Sequence, residues 1–174
     1  DEVLHAALAH CVDHVLRCRA RILRRNKKPV VVPEHDSLDA EIDEVGRDQG
    51  FGRPRVLVLV PTKGAAYDCA RVIETLLGDR AAVSNRQRFE AEFGPESVED
   101  DGRRGPADWA ELFGPGANAD DDCEVGIALA PGRGKKKKIG SSFGVAMRLY
   151  AKLDESDIII ASPLALRVKL ERSD

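Results

Sequence analysis

Apolar residues recur at three-to-four spacing from the start of the chain. Leu4, Leu8, Cys11, Val12, Val15, Ile22 and Leu23 fall along one stripe, interrupted only by Arg19. That spacing predicts an amphipathic helix over about 3–25. Its far end carries Arg17, Arg21, Arg24 and Arg25, a placement that suits the negative end of a helix dipole. The pattern then stops. Residues 33–52 are rich in Asp and Glu and predict a solvated acidic loop. A continuous apolar run, VLVLV at 56–60, follows between Pro54 and Pro61 and predicts a strand buried on both faces. Thr62 is placed to cap a helix over about 63–77, and Gly78 to close it.

Further elements follow the same logic. A second helix is predicted from Asn85 to Phe93, then an acidic, Gly- and Pro-rich insertion over about 94–122 with Trp109, Leu112 and Phe113 as isolated apolar anchors. Val125, Ile127 and Leu129 alternate with small residues, which predicts a strand. The spacing from Phe143 to Leu153 predicts a helix. DIIIA at 157–161 repeats the buried-strand signature, with Ser162 as cap and Pro163 opening a last helix to about Arg172. Strands alternating with helices predict an α/β fold, a parallel sheet flanked by helices. Residues 1–174 form one partial domain in this reading, with no internal repeat.

Composition narrows the picture. Of the 174 residues 43% are hydrophobic, enough for a core, and 33% are charged, so excess charge belongs in loops. The net charge of -3 demands no nucleic-acid partner, although it leaves room for a local basic face. Four cysteines, Cys11, Cys18, Cys69 and Cys123, form no C-x-x-C pair and read as free thiols of a reducing compartment. No apolar run is long enough to span a membrane, and no signal peptide is visible. The chain opens inside a helical pattern and so reads as a fragment. His10 and His14 stand four apart on the first helix with no third ligand; the pair reads as a helix-face pair, not a metal site.

Candidate chemistry lies at two strand ends, Val60-Pro61-Thr62-Lys63 and Ala161-Ser162-Pro163. In open α/β sheets ligands bind beyond the carboxyl ends of strands, where helix N-termini attract phosphates. Taken singly, Thr62 and Ser162 read as N-caps. Taken together, VLVLVPTKGAAYDCARVI resembles the helicase motif in which a strand ends in Pro-Thr and holds the RNA backbone. SDIIIASPLALRVKLE resembles the later helicase motif of a strand followed by Thr-Pro-Gly-Arg. The two imply the first RecA-like domain of a superfamily 2 helicase, with Leu164 and Ala165 standing where Gly and Arg would touch phosphates.

A wider resemblance covers most of the chain. LHAALAHCVDHVLRCRARIL, RDQGFGRPRVLVLVP, SNRQRFEAEFG, PADWAELFGPGANADDDCEVGI and LYAKLDESDIIIASPLALR resemble, in order, the digestive organ expansion factor family of degenerate DEAD-box-like helicases. Thr62-Lys63 and Ala165 depart from that family, which has an aromatic-basic pair and a Gly there. The resemblance implies a non-catalytic scaffold of the nucleolar small-subunit processome, needed for pre-rRNA processing. The implied partners are pre-rRNA, U3 small nucleolar RNA and other processome proteins, with no membrane and no cofactor. It leaves Thr62, Lys63, Ser162 and Arg167 as remnant RNA-facing positions.

ATP hydrolysis on this fold needs G-x-x-x-x-G-K-[ST], and the chain contains no such run; Gly132-Arg133-Gly134-Lys135 lacks the hydroxyl residue. In RecA-like order that loop precedes the first helix, and the magnesium-binding acids follow the last. An alternative therefore stands: the first domain of an active ATP-dependent RNA helicase with its nucleotide motifs elsewhere. A pure protein-interaction module is a third reading. Lys135, Lys136, Lys137 and Lys138 suit phosphate contact, a nuclear signal or simply a solvated loop.

Overall fold

The opening stripe forms helix α1 (Glu2–Arg25), which lays Leu8, Val12 and Val15 into the core. In a computed structural model of the protein, residues 2–25, 53–79, 81–95, 118–131 and 145–172 are described. After α1 come β1 (Val56–Leu59), α2 (Lys63–Leu77), β2 (Ala82–Ser84) and α3 (Arg86–Phe93). Then follow β3 (Glu124–Pro131), β4 (Val145–Leu149), a 3-10 turn (Leu153–Glu155), β5 (Ile158–Ala161) and α4 (Pro163–Glu171). The acidic loop at 33–52, most of the 94–122 insertion with Trp109, Leu112 and Phe113, and Lys135 to Lys138 lie outside the described residues.

The strands form one sheet in the order β1-β5-β3-β4-β2. Its parallel character is partial. β1 runs parallel to β5, and β2 to β4, but β3 is antiparallel to both β4 and β5. The reason lies at the carboxyl end of β5. β3 enters there, with Glu124 paired to Ala161 and the Ser162 amide donating to the Cys123 carbonyl at 2.9 Å, so it can only run back across the sheet.

A second correction concerns the helix expected over 143–153. Val145–Leu149 is a strand instead. Its sequence carries both periods: Met147 and Leu149 are buried while Arg148 between them is exposed, the alternation of a sheet with one face in the core. Partners on both sides, β3 and β2, supply the ladder bonds that select this alternative. The three-residue β2 was too short to carry a pattern of its own.

Val125, Ile127, Leu129, Met147, Leu149, Ile158 and Ile160 share the core face of the sheet, under α1, α2 and α3. β5 is buried at every residue, as its unbroken apolar run predicts; β1, with the same kind of run, is not buried on both faces, since Leu57 and Leu59 are exposed. On the opposite face Gly126 leaves space for the returning chain. A Cβ there would stand 2.4 Å from the Ala151 carbonyl oxygen, whose own amide donates to the Gly126 carbonyl at 2.9 Å. Among the described residues no helix is long and apolar enough to cross a membrane.

The thiols divide by depth. Cys69 and Cys123 are buried, and burial pushes both above the ordinary thiol range; Cys11 and Cys18 are partly exposed on α1. Since the thiolate is the reactive form, a maleimide added to native protein should modify Cys11 and Cys18. Cys69 and Cys123 should react only after unfolding. Peptide mass spectrometry over a labelling time course checks this, and early modification of Cys69 would contradict the packing described.

Candidate functional site

β1 and β5 end side by side. Leu59 pairs with Ala161, and the Val60 amide donates to the Ala161 carbonyl at 3.1 Å. The turns that follow therefore bring Thr62 and Ser162, more than ninety positions apart in sequence, to one edge of the sheet. Both act as caps. The Ala65 amide donates to Thr62 Oγ1 at 3.4 Å, and the Ala165 amide donates to Ser162 Oγ at 3.0 Å. Ser162 is only 1% exposed, so its hydroxyl is committed to the cap.

The N-terminus of α2 is closed by the protein's own chain. Its first-turn amides at Lys63, Gly64 and Ala65 have no intrahelical partner. Lys63 donates to the Asp120 carbonyl and Gly64 to the Asn118 carbonyl, both at 2.8 Å, while Ala65 is taken by Thr62. The Lys63 ammonium reaches Asp120 Oδ2 at 2.5 Å. Asn118, itself buried, is fixed by donation from its Nδ2 to the Glu92 carbonyl at 3.2 Å. Gly64 allows this approach, since a Cβ there would sit 3.0 Å from the Asn118 carbonyl oxygen. Residues 118–122 thus form a strap across the place where an external phosphate would meet α2.

Charge reinforces the strap. Donation from Lys63, and then from the Asp122 amide, holds Asp120 below the usual carboxylate range. The same bond to Asp120 outweighs desolvation and raises Lys63 above its usual value. A lowered carboxylate contributes stability above its unfolded pKa, and that contribution is lost as pH falls through the folded value. A raised lysine contributes below its unfolded pKa and loses it as pH rises through the folded value. The strap is therefore held by charge across the neutral range and loosens below about pH 4. Asp120 is half-exposed, so water screens the pair and the effect should be about 1 kcal/mol or less. A pH titration followed by NMR should show the Lys63 and Gly64 amide resonances moving together in acid; resonances that stay fixed would mean the ion pair contributes nothing.

Arg167 lies one turn into α4, exposed, and pairs with Glu171 at 2.8 Å. Such a surface pair is weak and leaves the guanidinium able to meet another anion. Thr62, Lys63 and Ser162 are thus brought together, Arg167 is nearby on the helix that Ser162 caps, and the four lysines at 135–138 lie outside the described residues. His14 on α1 faces Cys18, with Nε2 3.8 Å from Sγ. No cluster of three metal-ligating side chains occurs among the described residues.

Two groupings escaped the sequence reading. One is the strap, hidden in a run that reads as acidic loop; the Asn before the acidic residues at 120–122 was its only signal. The other is Asp157, at the opposite end of the sheet and 1% exposed. Its Oδ2 accepts from the Leu129 amide at 2.9 Å, and its Oδ1 faces Arg53 Nε at 3.3 Å. A charged residue directly before three isoleucines was the available clue.

A mixed sheet with helices capped at adjacent strand ends fits an NTP hydrolase-like α/β domain. The family model described as UTP25, NTP hydrolase-like domain, matches residues 1–174, and the chain belongs to that family. It is 33% identical over 172 residues to the U3 small nucleolar RNA-associated protein 25 homolog of Xenopus tropicalis, covering 96% of this chain and 20% of that protein. It is 35% identical over 173 residues to the Mus musculus homolog, with the same coverage. To the U3 small nucleolar RNA-associated protein 25 of Clavispora lusitaniae it is 33% identical over 180 residues, covering 98% of this chain and 23% of that protein. The chain thus spans about a fifth of the length of these relatives. No solved structure matches it. The family is the one its sequence segments resemble.

Proposed function

We propose that this chain is a non-catalytic module of a U3-associated protein of ribosome assembly, acting in the nucleolus within the small-subunit processome. The observation that carries this reading is the identity of 33–35% along nearly the whole chain to proteins named for their association with U3 small nucleolar RNA. The module's task is to hold RNA and neighbouring proteins in place during pre-rRNA processing. Two features support a role without turnover. The chain contains no glycine-lysine loop followed by Ser or Thr. The α2 N-terminus, a ready site for a phosphate group, has its donors satisfied by Asn118, Asp120 and Thr62. RNA contact is assigned instead to Arg167, on the helix that Ser162 caps, with Thr62, Lys63 and Ser162 shaping the edge beside it, and separately to the lysines at 135–138.

The test uses the full-length protein. U3 small nucleolar RNA should co-purify with it from nuclear extract, and it should bind RNA with a salt-dependent affinity. RNA-stimulated ATP hydrolysis should be absent. Stimulated hydrolysis would replace the scaffold reading with that of an active RNA helicase. Failure to recover U3 RNA would remove the proposed setting altogether.

A further inference from the structure

β3 is antiparallel to both β4 and β5, so β4 and β5 run the same way. β1, β5, β4 and β2 therefore all end on one side of the sheet, the side that carries Thr62 and Ser162. Ligands of open α/β sheets bind beyond such carboxyl ends. Past Thr62 and Ser162 this side continues to Tyr150, which follows β4, and to Asn85, which follows β2.

Tyr150 and Asn85 both hold left-handed backbone, with φ of 56° and 66°. Asparagine adopts that conformation readily, but for a side chain as bulky as tyrosine it is an outlier. The surrounding chain imposes it from both directions. Asn85 Nδ2 donates to the Leu149 carbonyl, just before Tyr150, at 2.8 Å, and the Ala151 amide, just after it, donates to the Gly126 carbonyl at 2.9 Å. Strain held in this way gathers at functional sites, and here it fixes the direction of one ring. The ring stands edge-on to Phe89 and Phe93, and its hydroxyl donates to Glu92 Oε2 at 2.7 Å. The Arg88 guanidinium lies over it, 4.0 Å from the centroid, on a side chain that is 68% exposed.

We propose that Arg88, seated on Tyr150, is a stacking platform for an unpaired base of RNA. The platform serves the RNA-holding role proposed above and rests on it. Unpaired RNA bases stack on aromatic rings and on guanidinium planes, and a planar guanidinium already held over a ring loses little freedom on binding. A phosphate or an acidic peptide fits less well. Glu92 Oε2 stands 3.7 Å from Arg88 Nε and supplies its counter-charge. The Tyr150 hydroxyl pins that carboxylate in place, so an incoming anion would meet a fixed like charge. A neutral base meets no such repulsion.

The test uses the full-length protein and U3 small nucleolar RNA transcribed in vitro, with affinity measured at several salt concentrations. Arg88→Ala should weaken binding about tenfold, as loss of a stacking group does. Arg88→Lys keeps the charge and loses the plane, and it should weaken binding nearly as much. Both variants should keep the urea midpoint and the salt slope of the wild type. Full affinity in Arg88→Lys, or a salt slope lower by about one in Arg88→Ala, would make Arg88 a phosphate contact and overturn the proposal. Unchanged affinity in both variants would leave Arg88 as a fastening of α3 to β4 or a protein contact, overturning the platform while the RNA-holding role stands. Absence of RNA binding by the wild type would overturn both.

Discussion

Asp157→Ala is expected to lower stability by about 3–5 kcal/mol, as removal of one partner from a buried charge pair does. That is a large share of the roughly 5–15 kcal/mol that hold a domain together. The carboxylate serves three strands at once. Its oxygens accept from the Leu129 amide of β3 at 2.9 Å and face Arg53, which leads into β1, at 3.3 Å. Its own backbone carbonyl accepts from the Arg55 and Val56 amides, and its amide donates to the Ile127 carbonyl. Alanine keeps the backbone bonds but leaves the Leu129 amide without an acceptor and Arg53 without its counter-charge. Because Arg53 is about a quarter exposed, water compensates part of its loss, which places the effect towards the lower end of the range. Asp157→Asn keeps an acceptor for Leu129 while removing the charge, so it should fall between wild type and alanine. Urea midpoints of the two variants check the order. An alanine variant within about 0.5 kcal/mol of wild type, the level of a neutral surface change, would remove Asp157 from its place as the tie between β1, β3 and β5.

Phe93→Ala comes next, with an expected loss of about 3–5 kcal/mol from deleting a fully buried aromatic side chain. Phe93 is 1% exposed and lies against Phe89 with ring centroids 4.8 Å apart, and edge-on to Tyr150 at 6.4 Å. Phe89 in turn stacks with Tyr67 of α2 at 5.8 Å, so this cluster fastens α3 to α2 and to the end of β4. Tyr150 completes it: its hydroxyl donates to Glu92 at 2.7 Å, and the Arg88 guanidinium lies 4.0 Å from its ring centroid. Phe93→Leu retains most of the apolar volume and should cost less than about 1.5 kcal/mol. The cavity of the alanine variant should also be felt at the strap, because Asn118 is held by the carbonyl of Glu92, the residue before Phe93. In that variant the Gly64 amide should exchange faster than in the leucine variant at matched fractions folded. Equal exchange in the two would separate the aromatic cluster from the strap.

Much of this architecture is written locally. The i, i+3, i+4 stripe of α1 needs no tertiary information, because burial of one helix face fixes that spacing. The caps are equally local: Thr62 before α2, Gly78 after it with φ at 81°, and Ser162-Pro163 opening α4 all stand where the sequence puts them. Unbroken apolar runs mark β1 and β5 as strands. The two strands that run into Pro61-Thr62 and Ser162-Pro163 therefore lead into capped helices, as expected, and the family that the longer run of segments resembles is the one whose model matches the chain.

What the sequence missed was direction, pairing and long-range contact: strands alternating with helices predict a parallel sheet, and the stretch over 143–153 a helix, and the structure differs on both. Alternation at Val125, Ile127 and Leu129 specifies which face enters the core, yet it reads the same for a strand running either way. The entry of β3 beside Ala161 decides that it is antiparallel. The stretch around Met147 and Leu149 suits a helix or a strand by its own spacing, and only the ladders to β2 and β3 choose the strand. Asp120 looks like one acid among several until folding brings it to Lys63, 57 positions away. Hydrophobic period, capping and turn chemistry act between residues a few positions apart, so a single chain displays them openly. Strand direction, the partner of a buried charge and the closure of a helix end depend on groups that meet only once the whole sheet has formed.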